Sequence, residues 1–293
     1  MSGDRTLSGD GEVPDPGSLS AIASAAQRDV AALLTAVPNF RDAGDVAAGA
    51  GRRIREGVIF RSGQLADLPT AASRALGSLG VGLVVDLRTK AERRAQPDSL
   101  PTSVRLQVAD VLADNPGSGA AKLAALASGS ADALPIEAIN GAIGGGRAVG
   151  LMMGSYEGFV ALDSAKLAYR TFATEVARSE APVVFHCTAG KDRTGWAAAM
   201  LQLFVGVSEQ DVMSQYLGSN ERIAAEFDPL IDKFAAAGVD ADAMRALVQV
   251  RPQYLEAAVN AMTNSYGDIA GYLENGLGLS DADLSALHAR LLD

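Results

Sequence analysis

The sequence predicts an α/β fold: a central, mostly parallel sheet of four to five strands flanked by helices, with a helical C-terminal part. Three observations carry this expectation. Short apolar runs without polar alternation, at 81–87 and 183–185, have the pattern of strands buried on both faces, as in parallel sheets. Stretches of helical period stand between and after them. In 293 residues, 48% hydrophobic content is ample for a sizeable core, while only 5% aromatics speaks against a β-sandwich.

Taken in order, residues 1–17 are charged and rich in Gly, Ser, Asp and Pro, which reads as a flexible N-terminus. No basic segment there leads into an apolar one, so no Sec-type signal peptide is expected. An extra N-terminal helix is expected over 18–36, where Ile22, Val30, Leu33 and Leu34 supply an apolar stripe ending before Pro38. A single domain then covers 37–293. Its first strand reads as Val58-Ile59-Phe60-Arg61 between Gly57 and Gly63, and its first helix as 65–79, with Leu68, Ala72, Leu76 and Leu79 on one side. Strands follow at 81–87, 104–108 and 183–185. Between the last two, residues 112–154 are rich in Ala, Gly and Ser, with room for two short helices; such a weakly patterned insertion is mobile or functional. After Thr194 the chain reads as helical almost to its end. Ser208 and Asp211 form a capping box, and further helices fall at 254–266, 268–273 and 280–292. No run approaches the roughly 18 apolar residues of a membrane span. The chain is therefore expected to be cytoplasmic, or secreted without a classical signal peptide.

A formal net charge of -10 disfavours nucleic acid as a partner and makes any phosphate site a local exception. One cysteine, Cys187, and two histidines, His186 and His288, exclude an internal disulfide, a Cys-x-x-Cys pair and a Cys-rich or His-rich metal site. No metal or cofactor is expected. A single Cys is either an inert packed thiol or a nucleophile, and its surroundings decide between them.

Those surroundings are His186-Cys187-Thr188-Ala189-Gly190-Lys191-Asp192-Arg193-Thr194-Gly195: a Cys ending a buried strand, five residues, then an Arg opening a helix. A loop wrapped at a helix N-terminus aims successive backbone N–H groups at one centre, where the helix dipole already favours negative charge. Thr188, Ala189, Gly190, Lys191, Asp192 and Arg193 are the candidate phosphate-binding residues. Gly190 permits the tight turn, and Arg193 offers a planar fork matched to two phosphate oxygens. The same field is expected to lower the Cys187 thiol from roughly 8.5 into the range of about 3.5 to 7.5 seen at helix N-termini, which makes it a nucleophile. A thiolate in an anion cradle attacks the phosphorus of a phosphomonoester, giving a cysteinyl-phosphate that water hydrolyses. Arg193 stabilises the transition-state charge, Thr194 is placed to give its hydroxyl to the thiolate, and His186 to order the loop.

The run His-Cys-x5-Arg-Thr-Gly resembles the signature of the cysteine-dependent protein tyrosine phosphatases, and the chain from Val37 onward resembles their bacterial tyrosine/lipid phosphatase branch. The matching residues are Asn39-Phe40-Arg41-Asp42, Phe60-Arg61-Ser62, Asp86-Leu87-Arg88, the 186–195 loop, Tyr216-Leu217-x-Ser219-Asn220, and Tyr254-Leu255 through Tyr266-Gly267 to Tyr272-Leu273. The resemblance implies a tyrosine-phosphatase-like fold and action on phosphotyrosine proteins and phosphoinositides, releasing inorganic phosphate. It implies that Asp192 serves as general acid and base, that Asn39 and Arg41 shape the pocket, and that the 112–154 insertion is a lid. Lys191, a cation inside the loop, is expected at the rim, where it would favour substrates with more than one phosphate.

Two further carboxylates compete with Asp192. Asp86 ends the second strand beside Arg88, on the edge where α/β sheets place ligands, and Asp110 ends the third. For Asp86, general-acid catalysis and a salt bridge organising Arg88 are both open. His288, far from the loop in sequence, is expected on the surface. A sulfurtransferase does not call for the Cys-x5-Arg-Thr-Gly run, and an arsenate reductase needs further cysteines. The alternative that stands is a phosphatase of a small-molecule phosphate: a sugar, nucleoside or metabolite ester.

Overall fold

The computed structural model describes residues 16–115 and 135–293. Residues 1–15 of the expected flexible segment lie outside them, as does 116–134 of the insertion. Five strands form one sheet in the order β1-β2-β5-β3-β4, where β1 is Arg41–Asp42, β2 Ile59–Ser62, β3 Leu83–Asp86, β4 Arg105–Val108 and β5 Val183–His186. β1 runs antiparallel to β2, and every other pairing is parallel. Each expected strand is found within two residues of its place. β1 was not foreseen, because two half-buried residues carry no period.

The sheet divides the interior by the pleat. Phe60, Val84 and Val184 face one side, where Leu33 and Val37 at the end of helix Pro16–Ala36 pack with Ala72, Ala75 and Leu76 of helix Thr70–Ser78. The end of the N-terminal helix thus closes one core. Ile59, Leu83, Val85, Val183 and Phe185 face the other side, against a larger helical layer. That layer holds helices Arg147–Ala161, Asp163–Arg178 and Arg193–Phe204 and most of the C-terminal third.

The described part of the insertion, where a lid was expected, contributes side chains to the larger core. Ile139 and Ile143 of helix Ile136–Ile143, with Ala148 and Met152 of helix Arg147–Ala161, are buried among the core side chains. Helix Arg147–Ala161 turns Met152, Tyr156 and Phe159 into that core, where they fill the space between the helices. Across the sheet, β4 is mostly exposed, an edge strand with Arg105 paired to Glu175. Among the described residues, no helix is long and apolar enough to cross a membrane.

β2, β3 and β5 end at Ser62, Asp86 and His186, which share one register across the sheet. The loop after β5, in the middle, is therefore flanked on both sides by chain leaving the same edge. That edge is where parallel α/β sheets bind ligands.

Candidate active site

The loop from Cys187 to Asp192 leaves the central strand and enters helix Arg193–Phe204, with Asp192 at its N-cap. Its shape is imposed from behind. Gly190 has φ +67°, and a Cβ there would stand 2.2 Å from Ser62 O, so only glycine fits against the end of β2. The Gly190 carbonyl accepts from Asn39 Nδ2 at 2.7 Å and from Arg61 Nη2 at 2.8 Å. The carbonyls of Thr188, Ala189 and Gly190 are thus all drawn to groups outside the loop. Among the described residues, the N–H groups of Thr188 to Asp192 donate to no backbone acceptor.

Arg41 braces this arrangement, donating to Asn39 and to Ser219 Oγ at 3.1 Å, and Asn39 itself adopts φ +60°, a conformation asparagine tolerates. Asn39 thus reaches the loop from outside with Arg41 behind it, and their neighbour Asp42 turns away to accept from Gly44 N and Gly57 N.

Arg193 is buried, and its two terminal nitrogens lie 2.8 and 2.6 Å from the two oxygens of Glu92, a bidentate pair. Arg193 Nε is buried without a protein partner among the described residues. Burial opposes the guanidinium charge, but Glu92 outweighs it and raises Arg193 above its ordinary value. Burial likewise opposes the Glu92 carboxylate, and Arg193, Thr188 and Thr89 outweigh that, holding it well below the usual range. Glu92 was not singled out from the sequence. The available signal was Thr89-x-x-Glu92, a capping box opening helix Lys90–Ala95 just after β3.

Lys191 departs from its expected place. It is 2% exposed, with Nζ 2.8 Å from Leu247 O and 3.1 Å from Asp192 Oδ2, so it lies beneath the C-terminal helices and not at the rim. Asp192 receives a second donor, Tyr156 Oη, at 2.9 Å on Oδ1. Thr194 Oγ1 is fully buried with no protein partner among the described residues.

Behind Cys187, His186 Nδ1 lies 3.0 Å from Cys187 O and Nε2 lies 3.1 Å from Asp98 Oδ2. Two acceptors on one imidazole call for a proton on each nitrogen. Burial works against that charge, but Asp86 and Asp98 overcome it and raise His186 above its ordinary value. Asp98 is pushed up by burial and held at about 2 by His186 and Arg88. Asp86, fully buried, binds the Arg88 guanidinium at 2.8 Å and accepts from the Arg88 backbone N–H. The geometry therefore ties Asp86 to Arg88. Asp86, Asp98 and His186 lie close enough to form a metal-ligand group, yet Arg88 donates to both carboxylates, and a dication would have to displace a guanidinium. Asp110 caps the start of Lys90–Ala95 through Lys90 N, outside the loop. His288 is half-buried beside Arg52.

The site thus brings together Cys187, the loop amides, Asp192 and an arginine locked by a second carboxylate, Glu92. The family model described as "Tyrosine phosphatase family" matches residues 32–293. A protein of Cupriavidus necator named as a tyrosine-protein phosphatase is 30% identical over 250 residues, covering 85% of this chain and 84% of that protein. The triple specificity protein phosphatase PtpB of Mycobacterium tuberculosis is 30% identical over 276 residues, covering 87% of this chain and 96% of that one. A tyrosine-protein phosphatase of Nostoc commune is 28% identical over 244 residues, covering 80% and 74%.

Proposed function

This chain belongs to the tyrosine phosphatase family, and from that premise we propose that it hydrolyses phosphotyrosine on proteins through a cysteinyl-phosphate on Cys187, with phosphoinositides as a second substrate class. The observation that carries the mechanism is the loop itself: among the described residues its amides have no backbone acceptor, and Arg193 Nε, buried where the loop enters the helix, has no protein partner. A phosphoryl group seated there meets the loop amides and the Nε edge of Arg193, while Glu92 keeps the other edge and so fixes the plane of the fork.

In the first step the Cys187 thiolate forms an S–P bond as the P–O bond to the leaving group breaks, and Asp192 delivers its proton to the departing oxygen. In the second, Asp192 takes a proton from water as that water attacks phosphorus, the S–P bond breaks, and inorganic phosphate leaves with the thiolate restored. Thr194 Oγ1, buried and without a protein partner among the described residues, is the hydroxyl available to the sulfur in that leaving state. Asp86, sealed against Arg88, is a positioning residue in this scheme. The wider substrate range draws on PtpB, whose name states triple specificity.

The decisive experiment is a panel of phosphotyrosine and phosphoserine peptides, phosphoinositides and sugar phosphates, run on the wild type and on Cys187→Ser. Turnover of phosphotyrosine peptides, lost by a factor of about 10³ or more in Cys187→Ser, is expected. Retained activity above about one per cent removes Cys187 from its role, and selective turnover of sugar phosphates favours the small-molecule alternative.

A further inference from the structure

We propose that Tyr156, backed by Tyr216, is a positioning residue that holds Asp192 in place for proton transfer, an assignment that rests on Asp192 being the general acid. Tyr156 Oη donates to Asp192 Oδ1 at 2.9 Å, and Tyr216 Oη donates to Tyr156 Oη at 2.7 Å. The two phenols come from different helices, Arg147–Ala161 and Glu209–Leu217, and are 0% and 1% exposed. Each phenol has one proton to give, so the row has a direction, and it ends on the carboxylate. A donor that is itself receiving a hydrogen bond donates more strongly, which couples Tyr216 to Asp192 through Tyr156.

The surroundings support this reading. Burial, with Asp192 adding to it, pushes both phenols well above the ordinary tyrosine value, so they remain protonated donors across the working pH range. Lys191 faces Asp192 from its own loop at 3.1 Å on Oδ2, anchored in turn to Leu247 O. Arg193 follows Asp192 in the chain and is engaged by Glu92. From the other packed elements, Arg61 of β2 reaches the loop at Gly190 O, Tyr254 gives its proton to Ala246 O, and Tyr169 gives its own to Arg193 O; Cys187 stands at the start of the loop itself. Among the described residues, Lys191 and Tyr156 are thus the two side chains that hydrogen-bond to Asp192, one favouring each oxygen.

The test is the pH profile of kcat/KM with phenyl phosphate for Tyr156→Phe, Tyr216→Phe and the double variant. Loss of a donor to a carboxylate favours its protonated form, so the alkaline limb in Tyr156→Phe is expected to move up by about half to one pH unit. Tyr216→Phe should move it the same way by less, and the double variant should match Tyr156→Phe alone. Superimposable profiles for Tyr156→Phe and wild type, or shifts that add in the double variant, overturn the proposal. Phenylalanine keeps the ring packing of Tyr156 against Phe159 and Tyr254. If Tyr156→Phe does not fold, the shift in Tyr216→Phe decides alone, and its absence is fatal. Asp192→Asn separates the two assignments. An alkaline limb that survives in Asp192→Asn sinks the general-acid reading, whereas a limb lost there but unmoved in Tyr156→Phe sinks only the role of Tyr156.

Discussion

Glu92 holds Arg193 by both edges of one carboxylate, at 2.6 and 2.8 Å, from a helix of six residues that otherwise buries nothing. The pair joins the chain after β3 to the helix after β5. It also leaves the arginine oriented before any phosphate arrives, so the ordering of a long side chain is already complete when substrate binds.

Replacing that carboxylate should therefore loosen the fork rather than remove it. In Glu92→Gln, kcat is expected to fall by up to about 10²-fold, the scale of a small misplacement at a reacting centre, with vanadate inhibition weakened in parallel. Glu92→Ala, which strands a buried guanidinium, should in addition cost about 3–5 kcal/mol of stability. Steady-state kinetics and urea unfolding measure the two effects, and wild-type kcat in Glu92→Gln would show that the pair does not position Arg193.

Leaving-group chemistry distinguishes Asp192 from Asp86. A general acid matters most when the leaving oxygen is basic, so Asp192→Asn should lose about 10²–10⁴-fold on an alkyl phosphate and far less on p-nitrophenyl phosphate. Asp86→Asn, which disturbs the buried pair with Arg88, should lose equally on both and unfold at lower urea. The reverse pattern would exchange their roles.

Gly190→Ala probes the cradle by shape alone. The added methyl meets Ser62 O at 2.2 Å and the backbone sits at φ +67°, so the loop must move away from β2 and take its amides with it. Turnover and phosphate inhibition should both collapse, while near-wild-type kinetics would mean the loop has room that the structure does not show.

His186 and Asp98 make stability depend on pH with opposite signs. A folded-state value raised above 6.5 contributes stability fully present below pH 6.5 and lost as pH rises through the elevated folded value. Asp98, lowered from 3.8 to about 2, contributes stability present above 3.8 and lost as pH falls towards 2. Urea midpoints should thus be highest between about pH 4 and 6.5 and decline above it, with the alkaline decline reduced in His186→Asn. An identical alkaline slope in that variant would assign the decline to other groups.

The parts of this site that are adjacent in the chain were legible in the sequence. Cys187, Gly190, Asp192 and Arg193 fall within seven residues, and a buried strand running into a helix places them whatever else the fold does. Glu92, Asp98 and Tyr156 were not legible, because each reaches the loop from an element tens of residues away, and only the strand order decides which carboxylate or phenol meets it. Lys191 was misplaced for a related reason. A lysine in a polar loop reads as solvated, and nothing in its neighbourhood announces that Leu247, 56 residues on, supplies a carbonyl above it. The edge strand β4 read as part of the sheet, but its exposure follows from its neighbour on one side only.

The central position of β5 also has a consequence for biosynthesis. β2 and β3 bond to β5 and not to each other, so when the ribosome has delivered residues up to β4, both strands still lack the partner that lies between them. Two parallel edges of apolar sequence wait through some seventy further residues, at about 5–20 residues per second a delay of several seconds, before β5 closes the gap. Until then each edge is a template for strands of other chains, so the nascent protein depends on chaperone cover or dilution during that interval.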